Sequence, residues 1–283
     1  MGKIGICLYL VGKMATNMLV IGGNESKRVF VQMNRSYLEK NIESKDSDKN
    51  KVYLSHAESV FATLGNNIKK GKTGLYIFDN IEEKEYIYMN AMLGVLYAIS
   101  GDKNSSETIL KKIQPTKDKD GNYPLNTSEK KKSNLSNLFV SMLEYMVGDR
   151  NEAEKLSSLK EAKRGPKGLY CSDIDGSIEH TYLNAIKGVV EGQKGSIGNA
   201  KLFLEKIERG IPKNKRGLFG SSSISSSELP EVSIAISLLK YYANGITDSE
   251  EYLQRTQFRE LKSMSAVLLE GILYYVLSGR TLN

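Results

Sequence analysis

The chain has 283 residues, with 40 basic and 33 acidic side chains, 40% hydrophobic content and no Trp. A globular chain of this length buries roughly 75% of the surface its unfolded form exposes, so it needs neither a disulfide framework nor a structural metal to fold. Two Cys (Cys7, Cys171) and two His (His56, His180) are too few for the usual zinc sets, and neither a metal site nor a cofactor is expected. The formal charge of +7 comes from lysines interleaved with acids, as in Lys117-Asp118-Lys119-Asp120. No nucleic-acid module accompanies it, so a nucleic-acid partner is not expected.

From the N-terminus, the apolar run Ile4 to Gly12 is broken by Lys13 and is too short to span a bilayer. No small-x-small cleavage site follows closely, and Ile6 stands where a myristoylation signal needs Ser or Thr. We read residues 4–21, stopped by Gly22-Gly23, as a buried helix of a cytoplasmic protein without a transmembrane segment. Further helices are expected over 24–42 and 52–67, around the polar tract Ser44 to Asn50. Residues 1–70 thus form a less regular N-terminal part of a single domain spanning 1–283.

Residues 72–258 repeat themselves. Four segments begin Gly74-Leu75-Tyr76, Gly121-Asn122-Tyr123, Gly168-Leu169-Tyr170 and Gly217-Leu218-Phe219, spaced by 47, 47 and 49 residues. Sixteen residues after each Gly stand Asn90, Asn137, Asn184 and Ser233, and four further on stand Gly94, Ser141, Gly188 and Ser237. Each unit reads as a helix hairpin. A largely apolar inner helix, such as 82–100 stopped by Gly101, is followed by a shorter amphipathic outer one near 104–113, 151–163, 197–208 and 248–258. Within 259–283, residues 265–278 supply a final inner helix. About six such hairpins close an all-α ring, an α/α toroid, and closure buries the end faces that an open solenoid would expose.

The segment Gly168-Leu169-Tyr170, Asp173, then Glu179-His180-Thr181-Tyr182-Leu183-Asn184-Ala185 is similar to the repeat of the terpenoid cyclase and protein prenyltransferase superfamily. Residues 74–91 echo it with Gly74, Tyr76, Asp79, Tyr88, Asn90 and Ala91. Six-hairpin glycosidases and sugar epimerases resemble it in their Gly-Leu-Tyr and Gly-Asp punctuation. Both resemblances imply an α/α toroid whose cavity mouth is formed by the loops leading into the inner helices. Neither family's catalytic set is present intact. The prenyltransferase zinc ligands are not reproduced, and without Trp the Gln-to-Trp repeats of squalene-type cyclases are absent.

Chemistry is therefore sought at that mouth. Asp173, Asp175, Glu179 and His180 form the densest titratable group and are the expected catalytic acid/base set, with His180 the best proton carrier. Five residues after each loop Gly stand Asp79, Asn126, Asp173 and Ser222; Asp79 with Glu82 also fits a capping box. Tyr76, Tyr123, Tyr170 and Phe219 are the expected cavity aromatics. Lys72, Lys119 and Lys167 precede the loop glycines and would draw an anionic ligand if they form a collar. The Asn column is expected to bond to itself or to neighbouring backbone and let the inner helices pack closely, the alternative being that it faces a polar central cavity.

The leading expectation is an enzyme acting on an anionic or carbohydrate-type small molecule by glycosidase- or epimerase-like chemistry. A non-catalytic scaffold of the same fold and a prenyltransferase- or cyclase-like protein binding an isoprenoid diphosphate are the alternatives. A cavity plugged by its own side chains would favour the scaffold.

Overall fold

In the computed structural model, the residues described are 46–65, 68–78, 83–129, 131–173, 176–227, 229–256, 263–280 and 282. They form α1 (Asp46–Gly65), the antiparallel pair β1 (Lys69–Lys70) and β2 (Tyr76–Ile77), α2 (Ile87–Ser100), α3 (Lys103–Ile113), α4 (Asn134–Val147), α5 (Arg150–Ser157), α6 (Thr181–Gln193), α7 (Ile197–Gly210), α8 (Pro230–Asn244), α9 (Ile246–Arg255) and α10 (Met264–Leu277). The helices expected over 4–21 and 24–42 lie outside the described residues. α1 starts at Asp46, six residues before the helix expected from 52, and so takes in most of the polar tract. α5 stops at Ser157, six residues short of its expected end. The hydroxyls of Ser157 and Ser158 bond back to the carbonyls of Glu154 and Lys155, and Leu159 adopts a φ of 46° that no helix continues.

The repeat closes. α2 packs against α4, α4 against α6, α6 against α8, α8 against α10, and α10 back against α2. α3, α5, α7 and α9 each cover the inner helix that precedes them, and α1 covers α10. The described residues thus make an all-α toroid of five hairpins. Its closing hairpin joins the first described helix to the last, through Tyr53 stacked on Tyr274 at 5.8 Å and His56 edge-on to the same ring at 4.2 Å. At the end of the ring opposite the loops, Arg280 donates to the carbonyls of Ile99 and Ser100 at 3.2 and 2.9 Å. Gln193 Nε2 there donates to Met142 O and Leu282 O.

Helical spacing stacks the inner-helix side chains in layers of five. The second residue of each inner helix gives Tyr88, Leu135, Tyr182, Glu231 and Ser265. One turn below come Met92, Phe139, Ile186, Ala235 and Leu269, then Val95, Met142, Val189, Leu238 and Ile272, all fully buried. Tyr88 and Tyr182 both pack on Phe139, with ring centroids 6.4 and 6.3 Å apart. The second and third layers are entirely apolar, whereas the first carries Tyr88, Tyr182, Glu231 and Ser265.

The small-residue column sets how near neighbouring helices approach. A Cβ on Gly94 would lie 2.7 Å from Leu143, and one on Gly188 would lie 2.6 Å from Leu239. Where the column carries Ser, the hydroxyl crosses the hairpin: Ser141 Oγ donates to Ala153 O at 2.8 Å and Ser237 Oγ to Ser249 O at 3.0 Å.

Candidate functional site at the toroid mouth

Each inner helix is approached through a loop whose shape the repeat specifies. Gly74, Gly121, Gly168 and Gly217 have φ between 75° and 84°, the left-handed region where a side chain is strained. The Asn column holds the residue two beyond each glycine. Asn90 Oδ1 accepts from Tyr76 N (2.7 Å) while its Nδ2 donates to Tyr76 O and Tyr86 O; Asn184 does the same with Tyr170 and His180. Asn137 Oδ1 accepts from Tyr123 N at 2.8 Å. Asn90 and Asn184 are satisfied wholly by backbone, whereas Asn137 Nδ2 donates to Asn122 Oδ1 at 3.0 Å.

A third device explains Glu179. In the second and fourth loops, Asp118 Oδ1 and Asn214 Oδ1 accept from the backbone N–H groups two and four residues later. In the third loop the equivalent residue is Gly165, and Glu179 Oε1 takes over, accepting from Lys167 N (2.9 Å) and Leu169 N (3.2 Å). A Cβ on Gly165 would lie 2.4 Å from Glu179 Cγ, so the glutamate fills the space of the missing side chain. Gly71 and Glu85 make the same exchange in the first loop, where Glu85 Oε1 accepts from Thr73 N and Thr73 Oγ1. Glu179 is 1% exposed and engaged in its own loop.

The loops are also stitched to one another, and here the repeat departs from itself. Ile87 N donates to Leu125 O and Thr181 N to Ser221 O, so the first N–H groups of α2 and α6 are satisfied by backbone of the following loop. At α4 the corresponding donor, Asn134 N, bonds the Asp173 carboxylate at 2.7 Å, and Asn134 Nδ2 bonds its other oxygen. A side chain thus replaces a carbonyl, and a pocket of about 190 Å³ opens beside it. Its wall includes Asp173, His180, Tyr182, Leu135, Ser133 and Lys131. Burial raises the Asp173 carboxyl above the usual carboxylate range, opposed by the two Asn134 bonds and by Lys131 and Lys132. His180, half-buried at the N-cap of α6, makes no capping bond with its ring, and burial lowers its pKa below the ordinary imidazole value. The lysines at this wall are engaged: Lys131 Nζ donates to Asp173 O at 2.8 Å and Lys132 pairs with Glu161.

Of the residues singled out from sequence, the structure brings Asp173 and His180 together in this pocket. Asp175 and Asp79 lie outside the described residues. Tyr123, Tyr170 and Phe219 are buried within their hairpins, where Tyr170 stacks on Phe203 and Phe219 on Tyr252 of the outer layer. Tyr76 is half-buried. Six residues before each aromatic a cation sits over the ring: Lys70 on Tyr76, Lys117 on Tyr123, Arg164 on Tyr170 and Lys213 on Phe219. Lys72, Lys119 and Lys167 are exposed at the loop turns. Those turns reach towards the outer layer, since Lys167 Nζ donates to Gly210 O at the end of α7 and Lys112 of α3 to Gly74 O. Leu135 and Tyr182 were not singled out as site residues. Their signal was their shared second position in the inner helices, which only counting from the true helix starts reveals. Among the described residues no group of three or more His, Cys, Asp and Glu could hold a metal, and no helix is long and apolar enough to cross a membrane.

No family model matches the chain, and no curated protein does. Among solved structures it is similar to a D-mannose isomerase, with a TM-score of 0.53 and 12% identity over 83% of this chain and 86% of that one. The likeness shows the fold: this chain is an α/α toroid.

Proposed function

We propose that the protein is a sugar-acting enzyme of the toroid class, binding a small carbohydrate-type molecule in the mouth pocket, with His180 as the proton-transfer group. The observation that carries this reading is local. At the one described junction where loop backbone yields to the Asp173 side chain, a pocket opens that places a depressed-pKa imidazole and a half-buried carboxylate on the same wall. Asp173 has both oxygens committed to Asn134, so it positions the wall and biases the local field, while His180 keeps its ring for the ligand. A neutral imidazole takes a proton from a C–H or O–H group and returns it. The similarity to a D-mannose isomerase makes D-mannose the first compound to try.

The test is hydrogen exchange. Incubated with D-mannose in D2O, the wild-type protein should erase the C2 proton signal in ¹H NMR, and His180→Gln should slow this by about 10²-fold or more. Because the folded-state pKa of His180 is lowered, the base form persists to lower pH than for an ordinary histidine. The rate should stay flat from neutral pH into the mildly acidic range and fall only below it. Exchange that survives His180→Gln unchanged would remove His180 from the chemistry.

A second reading, a non-catalytic scaffold, is supported by the filled axis below the first layer. Binding without exchange for any sugar tried would favour it.

A further inference from the structure

Part of the mouth pocket's wall comes from the loop that leads into α4. Leu125, Glu129 and Lys132 of that loop line it together with Leu183 of α6. Glu129 is fixed there by its own turn. Asn126, which stands where Asp173 stands in the next repeat, is only 1% exposed. Its Oδ1 accepts from Ser128 N at 3.0 Å and its Nδ2 donates to Glu129 Oε1 at 2.7 Å, while Glu129 N closes the turn on Asn126 O at 3.2 Å. One carboxylate oxygen is thereby tied to a buried amide, and no described residue donates to the other, Oε2. The same turn recurs in the fourth repeat, where Ser225 N bonds Ser222 O at 3.3 Å. The eighth residue after the loop glycine is nevertheless Gly176 in the third repeat and Ser225 in the fourth. Among these three junctions the carboxylate is particular to the one beside which the pocket opens. The other charged groups of the wall are engaged: Lys132 pairs with Glu161, Lys131 Nζ donates to Asp173 O, and Asn134 holds both Asp173 oxygens.

We propose that Glu129 is a second ligand-binding group of the mouth pocket beside His180, and that its Oε2 accepts a hydrogen bond from a hydroxyl group of a neutral monosaccharide. A space of about 190 Å³ is smaller than the pockets that hold drug-sized ligands, which limits the occupant to a single sugar ring. Leu125, Leu135, Leu183 and the Tyr182 ring supply an apolar surface for the C–H face of such a ring. A carboxylate held at one oxygen is a fixed acceptor, and it orients the sugar for proton transfer at His180. Around the pocket three carboxylates (Glu129, Asp173, Glu161) stand against two lysines (Lys131, Lys132), so a ligand that carries its own carboxylate or phosphate is repelled.

The inference rests on the mouth pocket being a sugar site, and the experiment separates the two. The full chain is titrated with D-mannose and with D-mannuronate, which carries a carboxylate in place of the terminal hydroxymethyl group. Affinities are read by saturation-transfer NMR for wild type, Glu129→Gln and His180→Gln. The glutamine keeps an oxygen for Asn126 but presents an amide donor where Oε2 accepts, so the Tm should stay at the wild-type value. Affinity for D-mannose should fall about tenfold with Glu129→Gln, and the preference for D-mannose over D-mannuronate should shrink by about tenfold or more. An unchanged preference would overturn the proposal, because a loop merely disturbed by the substitution weakens both ligands alike. A clear fall in Tm would mark the carboxylate as part of the fold and overturn it too. D-mannose binding weakened by His180→Gln but indifferent to Glu129→Gln would remove Glu129 and leave the pocket standing. A wild-type preference for D-mannuronate would overturn the neutral-ligand assignment. Binding of neither sugar would overturn both this inference and the sugar-acting function.

Discussion

At the scale of single residues, the instructive case is Glu179. Its place beside His180 makes it look like half of an acid/base pair, yet its carboxylate closes the loop 165–169. The reason is a glycine fourteen residues earlier. Where the loop begins with Asp118 or Asn214 the acceptor is local, and where it begins with Gly165 it is imported. Glu179→Ala should therefore cost about 2–3 kcal/mol in urea denaturation, from two backbone donors left unpaired. Gly165→Asp alone should also destabilise, by collision with Glu179, whereas the double variant Gly165→Asp/Glu179→Ala should recover most of the loss. A double variant no more stable than the worse single would refute the exchange of acceptors. Asp173 shows the complementary lesson. A sequence reading allowed it to cap a helix, but the helix it caps is α4, thirty-nine residues away, rather than the one that follows it.

At the scale of elements, loop and inner helix are locked by the Asn column. Asn184 is fully buried and makes three hydrogen bonds to backbone, so Asn184→Ala should cost about 2–4 kcal/mol. Ser233 holds the same position in the fourth repeat with its hydroxyl unpaired, and there Phe219 N is satisfied by Tyr252 Oη at 3.2 Å. Ser233→Ala should change stability by less than about 0.5 kcal/mol, or raise it. Equal losses at the two positions would mean the column works by packing alone. The recurrence of loop glycines, Asn and small residues at fixed offsets made the hairpins legible, since each offset reports a bond or contact made inside one repeat. Helix starts were less legible. The inner helix expected from residue 82 begins at Ile87, because Glu85 is taken by the loop and Tyr86 pairs with Asn126 of the next repeat. With the start misplaced, the axial layer could not be counted, and Tyr182 and Leu135 were passed over for aromatics that stack inside hairpins.

At the scale of the whole molecule, closure depends on contacts between distant parts of the chain. α1 covers α10, and the segment after α10 ties α10 to α2 through Arg280 and buries Leu282 against Gln193. Arg280→Ala should cost about 1–2 kcal/mol and Leu282→Ala about 2–3 kcal/mol. Both should show as a lower Tm, and wild-type Tm in both variants would mean that the ring closes without this seam.

The residue order alone determined that the chain is a helical repeat with a period near 47, built of hairpins with an apolar inner and an amphipathic outer helix. That pattern is of short range and recurs from unit to unit at nearly fixed offsets. What only the tertiary structure decided is which residues meet at the mouth: Asp173 with Asn134 of α4, and His180 with Leu135 around the same pocket. These groups belong to different repeats, and their meeting follows from ring closure, which no single repeat encodes. The pocket opens where one repeat breaks the pattern of its neighbours, so its position is a property of the assembled ring.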